Sequence, residues 1–136
     1  MSRIVGLDPG TVRIGVAVSD PLFLTAQPHG NLEAGASDLD DRLRSLAEET
    51  AAERFVVGLP VGLDGREGVA AERSRELAAR VEAATGLPVD LYDERFSTVT
   101  AERVLVSAGV RRKRRKEARD RVAAAVFLQA YLDGRR

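Results

Sequence analysis

The sequence predicts an α/β domain built on a single mixed five-stranded sheet flanked by helices, in the order βββαβαβα. Three observations predict it. RIVGL at 3–7 and VRIGVAVSD at 12–20 are apolar runs separated by a short DPGT turn, the pattern of an antiparallel hairpin. RFVVGLP at 54–60 and PVDLYDE at 88–94 each follow an amphipathic helical stripe, as strands joined by right-handed crossovers do. The chain then closes on a long helical pattern, RKEARDRVAAAVFLQAYLD.

Each element has its own local reason. RIVGL is short and apolar enough for a buried strand, and Pro9 and Gly10 break it. In the next segment Val12, Ile14, Val16 and Val18 alternate with the small residues Gly15 and Ala17, so one face is bulky and the other thin. A weaker strand is expected over 26–32, where Pro28 favours a sheet edge. Ser37 is the expected N-cap of a helix whose stripe is Leu39, Leu43, Leu46 and Ala47, ending near Arg54. After the glycine-rich VGLDGREG, a second helix is expected from Val69 to Thr85, stopped by Gly86 and Pro88. Ser97 or Thr98 can cap a third helix that runs to about Ala108 and ends at Gly109. The basic stretch RRKRRK at 111–116 then leads into a final helix reaching about Asp133.

Composition bounds the possibilities. A chain of 136 residues suits one domain, taken as residues 1–136, and can bury roughly two thirds of its unfolded surface. Apolar residues make up 44%, yet no run approaches the ~18 that a membrane helix needs. A strand begins almost at Met1, leaving no room for a signal peptide, and cysteine is absent; a cytoplasmic protein without disulfides or thiolate metal sites is expected. The net charge of zero hides an asymmetry. Residues 1–110 carry 11 basic and 18 acidic side chains, whereas residues 111–136 carry 10 basic and 3 acidic. A polyanion would meet a strongly basic patch in the C-terminal region.

Three acids stand where chemistry could be assembled. Asp8 is at the end of the first strand, the position from which a side chain enters the crevice of an open α/β sheet; Asp-Pro-Gly is also a common turn formula. Asp93 and Glu94 are adjacent, so strand geometry points them to opposite faces; Glu94 is the expected partner of Asp8. Asp120 shares a helix face with Ala123, Ala124, Phe127 and Tyr131, an unusual place for an acid, although the macrodipole also favours acids near a helix start. Converging carboxylates need a cation, and oxygen ligands favour Mg²⁺ or Mn²⁺. Two such ions can assist in-line phosphodiester hydrolysis, and then no side-chain nucleophile is required. His29 is the only histidine and no serine lies in a GxSxG elbow, which disfavours a triad hydrolase. Arg111, Arg112, Lys113, Arg114, Arg115 and Lys116 precede Asp120 and are the expected contacts to a nucleic-acid backbone. With few aromatic residues, base stacking is not the expected mode of recognition.

GLDPGTVRIGVAVSD, FVVGLPVGLDGREG, DERFSTVTAERVL and the C-terminal helix segment resemble the YqgF or RuvX family, bacterial nucleases of the RNase H-like superfamily. The resemblance spans nearly the whole chain. It implies the RNase H-like fold and a metal-dependent nuclease for the 5′ end of pre-16S ribosomal RNA, with Holliday-junction resolution as the other activity. The family's acidic positions fall on Asp8, Glu94 and Asp120. Arg13, Gly58, Pro60, Asp64, Gly65 and Thr98 also match, Arg13 as a substrate contact, while Gly62 stands where the family usually has Asn.

Other classes compete with this reading. DPGT before an alternating strand also resembles the first phosphate motif of actin-like ATPases and sugar kinases, but this chain carries one copy of the fold and no P-loop. A non-catalytic RNA-binding assembly factor would use the basic run alone. Trimming an RNA end suits a monomer, whereas symmetric resolution of a junction requires a homodimer.

Overall fold

The computed structural model describes residues 2–60, 65–93 and 112–135, with side chains in the last segment described from residue 122. Strands β1 (Arg3–Pro9), β2 (Arg13–Ser19) and β3 (Ala26–Glu33) form an antiparallel meander. Helix α1 (Leu39–Thr50) leads to β4 (Ala52–Leu59), and α2 (Val69–Thr85) leads to β5 (Val89–Asp93). Both strands lie parallel to β1, so the sheet order is β3-β2-β1-β4-β5. Helix α3 (Arg112–Gly134) completes the described chain. The mixed sheet with helices on both faces is the architecture the sequence predicts.

Strand alternation divides the core in two. Val5, Leu7, Ile14, Val16, Phe55 and Val57 meet Leu39, Leu43, Leu46, Leu77 and Val81 of α1 and α2. On the other face Ile4, Ala17 and Val56 meet Ala124, Phe127, Leu128 and Leu132 of α3. Central strands buried on both faces must be apolar at successive positions, which is why IVGL and FVVGL lack a polar alternation. The thin face is deliberate: a Cβ on Gly6 would lie 3.1 Å from the Cβ of Leu128, so glycine lets α3 press closely on β1.

Several boundaries differ from expectation. β1 extends to Pro9, since Asp8 pairs with Gly15 and Pro9 with Ile14; only the ladder to β4 stops at Leu7. The turn is therefore 10–13, where the Gly10 N–H donates to the Arg13 carbonyl at 2.9 Å. A Cβ at Gly10 would meet that same oxygen at 2.6 Å, which excludes any other residue without rearrangement. Val12 lies in this turn and is exposed rather than part of the strand stripe.

β3 is the expected edge strand, with a register shift opposite Val16 and Ala17. Asp38, not Ser37, is the N-cap of α1, and it makes no side-chain capping bond. The helix stops at Thr50 rather than near Arg54 because Ala51 takes a left-handed conformation, φ 52°. The Arg3 N–H then donates to the Ala51 carbonyl and fixes the start of β4 beside β1. α2 has the predicted bounds and ends at Gly86, φ 72°. The helix expected over 97–108 lies outside the described residues. From Arg112 onward the basic run is itself part of α3 instead of leading into it.

Candidate active site

The face of the sheet covered by α3 carries the candidate site. On β1, Ile4 packs beneath α3 and Gly6 faces Leu128, so alternation gives Asp8 the same face. Its cross-strand partner is Gly15, and the partner of Gly15 is Asn31. Asp8, Gly15 and Asn31 thus form one row across three strands, with no side chain in the middle. Arg13, two residues from Gly15, shares this face and pairs in register with Glu33.

Asn31 escaped the sequence reading. Its Oδ1 is buried and has no hydrogen-bond partner among the described residues, which is costly for an amide oxygen. The only signal for it was alternation with Leu32, and the register shift in β3 hides which residue of that strand opposes Gly15.

α3 runs antiparallel to the strands it covers. The Tyr131 hydroxyl donates to Asp90, and the Tyr131 ring sits edge-on to Tyr92 at 6.0 Å. Tyr92 in turn stacks on Phe127 at 6.4 Å. Moving toward the carboxyl end of β5 therefore moves backward along α3, from Tyr131 opposite Asp90 to Phe127 against Tyr92. Arg54 braces Asp90 from β4 at 2.9 Å. Burial, and then the hydrogen bond to Asp90, push the Tyr131 phenol above its ordinary pKa. This brace, also unforeseen from sequence, ties α3 to β5 and, through Arg54, to β4.

The other expected residues separate into two groups. Asp93 follows Val89 and Leu91, which pack on the α1 and α2 side, so it belongs to the face opposite Asp8. Glu94 lies outside the described residues, as do Asp64, Thr98 and Arg111. Asp120, Arg112, Lys113, Arg114, Arg115 and Lys116 have a described helical backbone within α3, while their side chains are outside the description. Ala123, Ala124 and Phe127 are buried and Tyr131 is half-buried against the same cluster, as the helix-face argument expects. Gly58 pairs with Tyr92, and Gly65 has φ 83°, a left-handed conformation that favours glycine.

Among the described residues no three acidic or histidine side chains gather into a metal site. What this face offers is oxygen: the Asp8 carboxylate and, on its row, the unpaired Asn31 amide oxygen. That donor chemistry fits a hard divalent cation and not a soft one.

Comparison with known proteins gives the family and the fold. "Putative pre-16S rRNA nuclease" of Syntrophomonas wolfei is 47% identical, covering 97% of this chain and 94% of that protein. The protein of the same name from Geobacillus kaustophilus is 46% identical over 98% and 99%. Among solved structures, Thermus thermophilus RuvC in complex with Holliday junction substrate superposes with a TM-score of 0.60 at 18% identity, covering 99% and 96% of the two chains. The fold is thus RNase H-like, as in RuvC. The family model described as "RuvX: Holliday junction resolvase" matches residues 2–134, and this chain belongs to that family of nucleases.

Proposed function

We propose that this protein hydrolyses phosphodiester bonds with the help of Mg²⁺ or Mn²⁺ and processes the 5′ end of pre-16S ribosomal RNA, with Asp8, Glu94 and Asp120 holding the ions. The observation that carries the reading is the antiparallel placement of α3 over the Asp8 face. Residue 120 precedes Leu128 by two helical turns, roughly 12 Å along the helix axis. Asp8 lies roughly 7 Å beyond Gly6 along β1, in the same direction. A carboxylate reaching from that turn of α3 and one reaching from the end of β1 would converge at the carboxyl end of the sheet, where open α/β sheets bind ligands. Asp93 is turned away from that face, which supports Glu94 as the third acid.

The chemistry such ions supply when bound is activation of water and stabilisation of charge on the leaving oxygen. The chain's own residues do the rest. Asp8, Glu94 and Asp120 would hold the ions; Arg13 and the cations from Arg111 to Lys116 would hold the polyanionic backbone. The names of the relatives support a ribosomal RNA substrate. We take residues 1–136 as one domain acting on nucleic acid in the cytoplasm, as a monomer or a homodimer; among the described residues no helix is long and apolar enough to cross a membrane.

Branched DNA is the second reading, favoured by the family's description, and it would require two active sites and hence a homodimer. The test is parallel cleavage of a pre-16S leader RNA and a four-way DNA junction by the protein and by Asp8→Asn, with Mn²⁺ or Mg²⁺. Cutting of the RNA alone, lost in Asp8→Asn while RNA binding and melting temperature persist, is the expected result. Cutting of the junction alone moves the assignment to recombination. Full activity in Asp8→Asn would overturn the acidic site, and binding without cleavage of either substrate would leave a non-catalytic assembly factor.

A further inference from the structure

On the other side of β1 from Asp8, a cleft of about 170 Å³ opens between the β1–β2 turn and α2. Pro9 and Gly10 form one wall, Ile14, Leu39 and Leu77 belong to its apolar floor, and Arg73 stands at its side. At about 30 Å³ per water this holds several waters, room enough for one phosphate group.

The arginines of α2 differ in their engagements. Arg75 is held by Glu67 through two bonds of 2.8 and 3.0 Å, and Arg80 by Asp40 at 2.6 Å. Arg73 is half-buried, yet it makes no ion pair or hydrogen bond with any described residue. A guanidinium partly removed from water beside an apolar floor loses hydration without a protein anion to replace it, and its field there is screened less than at an open surface. Planar N–H donors in such a place suit a phosphate.

We propose that Arg73 and this cleft hold a backbone phosphate of the nucleic acid on the side of the sheet edge opposite the scissile bond. The inference rests on the nuclease reading for its ligand but not for its geometry. Asp8 faces α3 while Pro9 and Gly10, the next two residues, line the cleft, so one strand crossing the carboxyl edge of β1 touches both. The phosphate at Arg73 is a flanking one, which makes Arg73 a binding residue and not a catalytic one. Glu76, exposed in the same cleft, opposes the anion and sets an upper bound on its affinity.

The experiment uses fluorescence anisotropy of a pre-16S leader RNA with the full chain, without divalent metal, across a salt series. Arg73→Gln should weaken binding about tenfold at low salt and flatten the log–log salt slope by about 0.7, one phosphate contact on a single strand. Glu76→Gln should tighten binding, and Arg73→Lys should recover part of the loss. In metal-dependent cleavage, Arg73→Gln should raise KM while kcat at saturating RNA stays unchanged. Unaltered affinity and salt slope in Arg73→Gln, or a shift in the same direction for Arg73→Gln and Glu76→Gln, would refute the cleft. Wild-type protein that binds RNA through Arg73 yet never cleaves it would instead refute the nuclease reading and leave the cleft standing.

Discussion

Replacing Gly6 by valine tests whether the seat of α3 on β1 governs both stability and the site. The nearest atoms to a Cβ at position 6 are Leu128 Cβ at 3.1 Å, Cδ2 at 3.4 Å and Cγ at 3.5 Å. The first distance already demands a shift of a few tenths of an ångström, and the two further methyl groups of valine have no space on that side. Overpacking of this kind costs about 1 to 3 kcal/mol. For a chain of this length the entropy of unfolding converts each kcal/mol into roughly 3.5 °C, so the melting temperature should fall by about 3 to 10 °C. If α3 moves outward, Asp120 moves with it, and a displacement near 1 Å can reduce a positioned reaction by about 100-fold. The assay is urea and thermal unfolding followed by Mn²⁺-dependent cleavage at a temperature where the variant is folded. Gly30→Ala is the control: nothing lies within 4 Å of its added Cβ, and stability should change by less than about 0.5 kcal/mol. Gly6→Val with wild-type melting and wild-type cleavage would show that this contact neither seats α3 nor positions Asp120.

Three other outcomes are expected. Ala51→Gly relieves a left-handed alanine at the end of α1 and should raise the melting temperature by about 2 to 3 °C, corresponding to about 0.5 to 1 kcal/mol; a lower melting temperature would mean that the φ of 52° carries no strain. The Tyr131 phenol is held protonated in the fold, so its contribution is complete below the ordinary phenol pKa and is lost as pH rises through the higher folded value. Urea midpoints measured from pH 8 to 11 should therefore decline above about pH 10, and decline less in Tyr131→Phe; parallel curves for the two proteins would exclude this linkage. Changing Arg112, Arg114 and Arg115 together to Gln should flatten the salt dependence of RNA binding by about 2 in log–log slope, and an unchanged slope would remove the basic segment from the substrate path.

Much of the fold is legible in local chemistry. α2 could be bounded from sequence because Gly86 supplies a left-handed stop and Pro88 follows it. α1 could not, because Ala51 is a good helix former whose left-handed conformation is imposed where its carbonyl meets the Arg3 N–H. The preference for Glu94 over Asp93 rests on the two-residue period of a strand; the structure puts Asp93 on the face opposite Asp8, and Glu94 lies outside the described residues. Asn31 was missed for the opposite reason: its position opposite Gly15 depends on a register shift farther along the edge strand.

The sequence by itself determined the strands and helices that the structure describes, the glycine that allows close approach and the charge of the basic segment, and it nominated three acids, since each follows from local period, turn chemistry or charge. Only the tertiary structure decided that Asp8, Gly15 and Asn31 form one row, that α3 runs antiparallel over it, and that Arg73 stands in a cleft on the opposite face without a partner among the described residues. These relations depend on register and on which strand docks beside which. β4 joins β1 rather than β3, its predecessor in the chain, and pairing between residues far apart in sequence is settled by burial on both faces of the sheet at once.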